Sequence, residues 1–386
     1  MDKLYNFLSE VKSAGEIYKQ NIDEKINICL GNVSCDMDSA VGAILLAYYL
    51  TSKNDYYNDY GNYEIFWVPV INCPRKELVA RIDISYHFKT FGIDTNNLIF
   101  IDDLDITHYS KNNLLNLAII DHNKLDYSQK DWEKSVHMII DHHADLKAYP
   151  NLSQENKTIV FCGSACSIPI NMIFKDNLED ILNKDICKFF SAAILLDTEN
   201  FKPSLKNTKW SAIDEEAFQN INRKIFSEYY DKLINLKTDR KANIELGLEL
   251  ILKKDYKNYV WGETNKNVAG ISVCFNTFHD IMTQFGVETL KNTLNERMDK
   301  QNLNVHLIIT QTYTKNGAFR EIMIFDRDVE RLQKVSVLFE KNCPYALQKK
   351  KFTGLKGNFS FFYFMDESVS RKKVEPIFQE IFEKLL

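Results

Sequence analysis

The sequence lacks the features that would place it in a membrane, on a secretory route or on nucleic acid. Its longest apolar run, Ala40 to Leu50, is far shorter than the roughly 20 residues of a transmembrane helix. The first 20 residues contain no apolar core of the signal-peptide type. Lys and Arg total 48 against 53 for Asp and Glu, so the net charge of -5 gives no general attraction to polyanions. We therefore expect a cytoplasmic protein with no nucleic-acid or membrane partner.

Cysteine is present without the spacing of a zinc site or a disulfide framework. None of the eight cysteines belongs to a CxxC pair, and most lie in apolar stretches. Cysteine in such stretches behaves as a small hydrophobic side chain. We therefore interpret the cysteines as reduced and structural.

The first part of the chain alternates short β-rich runs with helical patterns. Strands are predicted at residues 26–30, 64–70, 98–101, 117–120, 136–140 and 158–161. This alternation is typical of an α/β fold, in which helices flank a parallel sheet. Ligands of such folds bind outside the carboxyl ends of the strands.

The pattern changes after a charged helical stretch over residues 214–236. Strands at 268–273, 305–312, 321–325 and 360–364 alternate there with helices such as 280–298 and 374–385. The chain is long enough for two cores. We predict an N-terminal domain over residues 1–225 and a smaller C-terminal α/β domain with a mixed sheet over 226–386, with the active site in the cleft between them.

Four apolar stretches are followed by side chains that bind metals. The residues concerned are Asn32, Asp36 and Asp38 after the first stretch, Asp121 after the second, Asp141, His142 and His143 after the third, and Asp197 after the fourth. Clustered carboxylates repel one another unless cations offset their charge. The pattern therefore predicts a polynuclear metal centre at the strand ends.

Single members of this set can also be explained by ordinary structural roles. Asp36 and Asp38 alone also fit a helix N-terminus, where Asp and Ser are favoured. A lone histidine is usually structural, but His142 and His143 follow Asp141 in direct succession. Asp121 is the natural bridge between two metals, whose shared hydroxide would attack phosphorus in line.

The two histidines could have different roles, one in metal binding and one in proton donation. His142 is a candidate metal ligand, whereas His143 could donate a hydrogen bond or a proton to a phosphoryl or leaving oxygen. Asp141 could orient one of the two imidazoles from behind. The candidate catalytic set is Asp36, Asp38, Asp121, His142 and His143.

The second domain supplies positive charge. Lys257 ends a predicted amphipathic helix, Arg320 starts a strand, and Arg371 and Lys372 lead into the last helix. Any one of them is more commonly a solvated surface residue. Together they could hold phosphate groups, since Arg binds phosphate bidentately and Lys supplies a point charge.

The motifs resemble those of the DHH phosphoesterase superfamily. The matching segments are residues 31–39, 121–123 and 141–145. With Asp197-Thr198 and Ser370-Arg371-Lys372, they are similar to the branch that holds eukaryotic exopolyphosphatases, prune proteins and manganese-dependent pyrophosphatases. Residues 69–75, 239–241 and 252–257 look most like exopolyphosphatases of the yeast cytosolic type, and the similarity runs in order along nearly the whole chain.

The resemblance implies two divalent metal ions, Mg²⁺ first, with Mn²⁺ or Co²⁺ as alternatives. The implied ligands are Asp36, Asp38, Asp121 as the bridge, His142 and Asp197, and His143 would contact substrate. The implied phosphate contacts are Lys257, Arg371 and Lys372, with Arg75 and Arg320 as additional ones.

Asn32 departs from the pattern of the pyrophosphatases, which have His at this place. An amide oxygen is a harder and weaker ligand than imidazole, which favours Mg²⁺. Asn32 is therefore a candidate metal ligand, either directly or through water, and it argues against a pyrophosphatase.

The function expected from these observations is metal-dependent release of terminal orthophosphate from inorganic polyphosphate. Inorganic polyphosphate and phosphate would be the binding partners, and a monomer is favoured although the sequence leaves the oligomeric state open. The alternatives are a prune-like short-chain polyphosphatase or cyclic-nucleotide phosphodiesterase, and an inorganic pyrophosphatase. An exonuclease is disfavoured because no base-stacking platform is evident. The non-enzymatic alternative is an interaction module with an inactive DHH fold.

Overall fold

The computed structural model describes residues 1–57, 66–221, 227–261, 267–314, 317–350, 352, 357–364 and 369–385. The chain forms two compact units, Met1–Lys237 and Thr238–Leu386, each with its own six-stranded sheet. None of the helices in these ranges combines the length and the hydropathy that a bilayer crossing requires. The eight cysteines all lie in the described ranges and are free thiols, seven of them buried.

The first unit is built on a fully parallel sheet. Its strands are β1 (Ile26–Leu30), β2 (Trp67–Ile71), β3 (Ile99–Phe100), β4 (Leu115–Ile120), β5 (Val136–Asp141) and β6 (Lys157–Ile159). They are arranged in the order β3-β2-β1-β4-β5-β6, and every neighbouring pair is parallel. All six predicted strands are confirmed within a few residues, and positions 64 and 65 of the second prediction lie outside the described residues.

Helices flank this sheet, as its apolar strands require. They are α1 (Asp2–Gln20), α2 (Met37–Tyr57), α3 (Ile82–Thr90), α4 (Ile106–Lys111), α5 (Ser167–Lys175), α6 (Lys184–Asp197), α7 (Ala212–Ile221) and α8 (Ser227–Thr238). Helix α2 packs on β1, β2 and β4, and it also contacts α5 and α6. Its residues 37–51 are buried on all sides, which explains its apolar sequence.

One sequence prediction for this unit is wrong. The apolar run before Asp197, which the strand-end pattern treated as a strand, is the end of helix α6. The helical stretch predicted over residues 214–236 is helical wherever the structure describes it, in α7 and α8, and residues 222–226 lie outside the described part.

The strand order places one crevice at the centre of the sheet. Strands β1 and β4 are neighbours, and the connections leave them in opposite directions, β1 towards β2 and β4 towards β5. A sheet of this order binds ligands outside the carboxyl ends of the strands where the order reverses. Asn32 follows β1 and Asp121 follows β4, so both stand at this point.

The second unit has a mixed sheet, as predicted. Its strands are β7 (Tyr256–Trp261), β8 (Asn267–Cys274), β9 (Val305–Thr314), β10 (Gly317–Phe325), β11 (Leu347–Lys350) and β12 (Phe359–Phe364). They are arranged in the order β11-β12-β10-β9-β8-β7, and β8-β9 is the parallel pair among antiparallel ones.

Alternate residues of these strands enter two separate apolar cores. Leu307 and Ile309 face one core, whereas Ile308 faces the other. The flanking helices are α9 (Arg240–Glu245), α10 (Leu248–Lys253), α11 (Phe278–Phe285), α12 (Val287–Gln301), α13 (Val329–Asn342) and α14 (Arg371–Leu385). The helix predicted over 280–298 is divided between α11 and α12 at Gly286, whose φ of 78° ends the first of them.

The basic residues of this unit lie on elements other than those expected. Lys257 is in strand β7, because α10 already ends at Lys253. Arg320 lies inside β10 rather than at its start. Arg371 and Lys372 form the first turn of α14 instead of preceding it.

Candidate metal centre

The turn after β4 places Asp121 at the centre of the site. Its φ is 65°, a left-handed conformation that Asp tolerates better than most side chains. Its backbone N–H donates to Ile140 O at 3.0 Å, so the parallel ladder between β4 and β5 continues through it. Such backbone strain is held in place by surrounding contacts and concentrates at functional sites.

The Asp121 carboxylate is buried, with 3% of the residue exposed, and both of its oxygens have partners. Oδ2 accepts hydrogen bonds from Asn32 Nδ2 and Ser39 Oγ, each at 2.6 Å. Oδ1 lies 3.2 Å from His142 Nε2 and 3.8 Å from His143 Nδ1. The turn after β1, the start of α2 and the end of β5 therefore converge on this carboxylate.

The Asn32 side chain contacts the Asp121 carboxylate. Its amide nitrogen donates to Asp121, and its amide oxygen accepts from Ser34 N at 2.9 Å and from Ser34 Oγ. Both ends of the amide are engaged within the site, so Asn32 orients the Asp121 carboxylate.

Four side chains at the ends of β4 and β5 come together as one group. Asp121, Asp141, His142 and His143 each offer one atom, and these atoms all lie within 4.8 Å of one another. Asp141 Oδ1 accepts from His143 Nδ1 at 2.8 Å, which confirms the expectation that Asp141 orients an imidazole. Asn123 Nδ2 donates to the other oxygen of Asp141.

His142 has the geometry of a metal ligand. Its Nδ1 donates to the carbonyl oxygen of Cys162 at 3.0 Å, so in a neutral ring Nε2 carries the lone pair. That nitrogen faces Asp121 Oδ1, and two lone pairs at 3.2 Å repel unless a proton or a cation lies between them. Oxygen and imidazole donors in this arrangement fit a divalent cation.

Asp38 is held by the segment that follows β6. Its carboxylate accepts hydrogen bonds from Ser164 Oγ at 2.5 Å, Ala165 N at 2.7 Å and Cys166 N at 3.1 Å. Only 1% of the residue is exposed. The position of Asp38 is therefore fixed by hydrogen bonds from outside the four-residue group.

Asp36 and Asp197 complete the acidic set. Asp36 precedes α2, and its Oδ1 accepts from Ser39 N at 3.1 Å, so the helix-capping explanation of this residue is realised. Asp197 ends α6 and is partly buried. With Asp38, these two carboxylates stand outside the four atoms that lie within 4.8 Å of one another.

The pKa shifts show that these carboxylates form one electrostatic environment. Burial, followed by the charge of Asp121, raises the pKa of Asp38 to about 6. Burial, followed by the charges of Asp38 and Asp36, raises the pKa of Asp197 well above its usual value. Bound cations would relieve this repulsion, so the residues present fit a metal centre.

The same negative surroundings raise the pKa of the His142 imidazole. Burial lowers its pKa, but hydrogen bonds to Asp121 and to the Cys162 carbonyl outweigh burial and hold the pKa well above its usual value. The surroundings of Nε2 therefore favour a positive charge beside Asp121, which either a proton or a bound metal ion would supply.

The Arg75 guanidinium binds neighbouring residues of the first unit. Its Nη1 donates to Thr95 O and its Nη2 to Leu98 O, each at 2.8 Å, and Nη2 also pairs with Asp103 at 2.5 Å. The guanidinium further stacks over Phe100 at 4.3 Å. These contacts anchor the turns beside β3.

In the second unit, the two arginines among the predicted phosphate contacts have partners within the unit. Arg371 Nη1 lies 2.6 Å from Asp255 Oδ1, and Arg320 Nε donates to Val369 O at 2.9 Å. Lys257 is partly buried in β7, whereas Lys372 is exposed on α14. The unit therefore orients the two guanidiniums.

Sequence reasoning missed the segment Cys162–Cys166 and the residues that support it. This segment supplies the hydrogen bonds to both His142 and Asp38. A signal was present, since Gly163-Ser164-Ala165 follows the last strand and precedes a helix, as the turn before α2 does. Small residues of this kind allow backbone N–H groups to approach a carboxylate closely.

Comparisons with known proteins agree with this architecture. Residues 234–381 match the DHHA2 domain. The chain is similar to human "Exopolyphosphatase PRUNE1", with 25% identity over 363 residues, covering 92% of this chain and 75% of that protein. It is also similar to a Schizosaccharomyces pombe protein named "Putative exopolyphosphatase", with 27% identity over 377 residues, covering 91% of this chain and 89% of that one.

A solved structure shares the fold. A Methanococcus jannaschii protein described as a putative family II inorganic pyrophosphatase superposes with a TM-score of 0.58 at 18% identity, covering 92% of this chain and 99% of that one. The parallel sheet, the Asp and His residues at its strand ends and the DHHA2 match support assignment to the DHH superfamily. Within it, the two exopolyphosphatase relatives support the prune and exopolyphosphatase branch, which confirms the resemblance predicted from the motifs.

Proposed function

We propose that this protein is a divalent-metal-dependent exopolyphosphatase that releases terminal orthophosphate from inorganic polyphosphate. The observation that carries the proposal is the group of Asp121, Asp141, His142 and His143, whose ligand atoms lie within 4.8 Å of one another beyond the parallel strands. Relatives that bear the name exopolyphosphatase and align over 91–92% of this chain support the choice of substrate.

Five side chains would hold the metals: Asp36, Asp38, Asp121, His142 and Asp197. Two divalent cations, Mg²⁺ first and Mn²⁺ or Co²⁺ as alternatives, would supply an activated water molecule and neutralise the charge of the phosphate. Asn32 contributes by fixing Asp121 through the 2.6 Å hydrogen bond from its amide nitrogen.

His143 would act on the substrate rather than on a metal. Asp141 accepts the proton of Nδ1 and thereby sets the orientation of the ring. When the ring is charged, Nε2 also carries a proton, which His143 can donate to a phosphoryl oxygen or to the leaving oxygen. The side chain is 25% exposed, so a substrate in solution can reach it.

Basic residues of the second unit would bind the phosphates that are not cleaved. Arg371, oriented by Asp255, presents a planar guanidinium suited to two phosphate oxygens. Lys257 and Lys372 add point charges, and Arg320 adds a further guanidinium. Arg75 is left out of this proposal because Thr95, Leu98 and Asp103 already engage its guanidinium.

The test is a digestion series with the full chain, Mg²⁺ and polyphosphate of one defined length, resolved by product length. Stepwise shortening with release of orthophosphate is expected, and random internal cutting would contradict an exopolyphosphatase. Asp121→Asn is expected to abolish release. Asp102→Asn is the matched control, because Asp102 follows β3 at the same sheet and binds Arg75 N at 2.9 Å.

A substrate panel separates the proposal from its neighbours. Short polyphosphates, pyrophosphate and cyclic AMP are assayed in parallel under the same conditions. Faster hydrolysis of cyclic AMP or of pyrophosphate than of every polyphosphate would overturn the substrate assignment and leave the metal centre intact. No release from any of them, with metal bound, would favour an inactive interaction module.

A further inference from the structure

Asp214 is a buried carboxylate outside the proposed metal centre. It lies in the first turn of α7 and is 0% exposed. Its Oδ2 accepts hydrogen bonds from Gly163 N at 2.7 Å and Ser211 N at 2.8 Å. Its Oδ1 accepts from Ser167 Oγ at 2.7 Å and Ser164 N at 3.1 Å. Four donors therefore converge on one carboxylate, more than capping of α7 requires.

Three of these donors belong to one short segment, residues 163–167. The same segment holds two of the proposed metal ligands. Ser164 Oγ, Ala165 N and Cys166 N bind the carboxylate of Asp38, and the neighbouring Cys162 carbonyl binds Nδ1 of His142. The segment thus donates hydrogen bonds to both Asp214 and Asp38.

We propose that Asp214 is a positioning residue of the metal centre. It fixes the 162–167 segment, which in turn sets the positions of the Asp38 carboxylate and the His142 ring. The inference rests on the proposed function, since it concerns metal ligands assigned there. It adds a residue, about 50 positions from the segment it holds, that no motif of the site contains.

The chemistry requires a carboxylate at this position. Oδ2 of Asp214 accepts from two backbone N–H groups and Oδ1 from one, and a backbone N–H cannot become an acceptor. An asparagine there would direct its NH₂ group at one of these N–H groups, whichever way the amide is turned. The segment would have to move, and Asp38 and His142 would move with it.

The test compares Asp214→Asn with Asp176→Asn in the full chain. Asp176 follows the other end of α5, where its carboxylate binds Lys53 and Tyr49 of α2. The control removes the same charge near the opposite end of α5 without touching the segment. Both variants are measured for Mn²⁺ affinity, for amide hydrogen exchange over residues 162–167 and for thermal unfolding.

Asp214→Asn is expected to weaken Mn²⁺ binding about 10- to 100-fold, the usual effect of removing a group that orients metal ligands. Exchange at Ala165 and Cys166, which donate to Asp38, is expected to accelerate. Asp176→Asn should leave both properties near wild type. Unchanged Mn²⁺ affinity and exchange in Asp214→Asn, or equal losses in Asp176→Asn, would overturn the proposal.

A second variant and the wild-type binding result ensure that the experiment still tests the role of Asp214. If Asp214→Asn does not fold, Ser167→Ala removes the single bond from Ser167 Oγ and is expected to weaken Mn²⁺ binding on the order of fivefold. An unchanged affinity in that variant would then contradict the proposal. A wild-type protein that binds no Mn²⁺ would contradict the proposed function, while the exchange comparison would still decide whether Asp214 holds the segment.

Discussion

The candidate site of the first unit gathers carboxylates, whereas two guanidiniums of the second unit lie beside carboxylate partners. In the first unit, burial and other carboxylates raise the pKa values of Asp38 and Asp197. In the second unit, Arg371 is paired with Asp255 and Arg297 with Glu249. Carboxylates thus repel one another at the candidate site, whereas each of these two guanidiniums is balanced by a neighbouring carboxylate.

This difference follows from the two sheets. A parallel sheet brings the carboxyl ends of all its strands to one edge, so residues distant in sequence meet there. A mixed sheet sends its strand ends to both edges, and its charged side chains find partners locally. Under the proposed function, the chemistry would be concentrated in the first unit and the second would contribute binding.

The largest effect on activity is expected when the central carboxylate of the first unit is removed, and this variant tests the contrast between the units most strongly. Asp121→Asn keeps an acceptor for Asn32 and Ser39 but removes the charge between the proposed metals. We expect kcat to fall at least about 1,000-fold, equivalent to about 4 kcal/mol, at near-normal stability. Steady-state phosphate release and urea unfolding measure the two effects, with Asp102→Asn as control. Activity within tenfold of wild type would contradict the assigned role.

A smaller loss is expected from His143→Gln. Glutamine can still contact Asp141 but cannot donate a proton as an imidazolium does. We expect kcat to fall about 100-fold, within the usual contribution of a general acid. The fall in rate at alkaline pH that loss of the His143 proton would cause should also disappear, which a purely structural role would not produce. A variant with an unchanged pH profile would assign proton donation to another group.

The second unit should respond in KM rather than in kcat. We expect Arg371→Ala to raise KM for polyphosphate about tenfold, because one bidentate phosphate contact is lost. Arg327→Ala is the matched control, since it removes a guanidinium of the same unit that pairs with Asp299 and lies outside the proposed phosphate contacts. A large fall in kcat with unchanged KM would place Arg371 in the chemical step and remove the contrast between the units.

The pH dependence of stability should be shared by both units. His87 in the first unit and His306 in the second are buried, and burial lowers the pKa of His87 to about 3 and that of His306 well below its usual value. Because the unfolded state binds the proton more readily, stability falls as pH drops below about 6.5.

For His87 the expected loss between pH 6.5 and 5.5 is about 1 kcal/mol. Urea unfolding of wild type and His87→Gln at both pH values measures it, and the difference between the two proteins isolates this histidine from the acidic groups. His306→Gln provides the same comparison for the second unit. Equal pH dependence in wild type and in both variants would show that neither ring is buried in its neutral form.

Much of the fold was predictable because it is encoded locally. The alternation of β-rich runs and helices predicted all six strands of the parallel sheet, and strand ends predicted that Asp121 and His142 meet. The run before Asp197 was wrongly taken as a strand, because a short apolar run does not reveal whether it is the buried end of a helix.

Other features could not be predicted from the sequence, because they depend on element boundaries or on partners distant in sequence. Lys257 was wrongly placed on a helix, since the boundary between α10 and β7 falls inside a charged run without apolar periodicity. The sequence also gives no sign that Arg75 contacts Thr95 and Asp103, which lie 20 or more residues away along the chain. Asp214 gave no signal at all, because its role depends on backbone N–H groups about 50 residues earlier.

The most direct test of the central claim is the number of Mn²⁺ ions that the full chain binds, measured by isothermal titration calorimetry at neutral pH. The proposed ligands are expected to bind two ions per chain in the wild type and at most one in Asp121→Asn. Binding of no ion by the wild type, or of two ions with equal affinity by Asp121→Asn, would contradict the account.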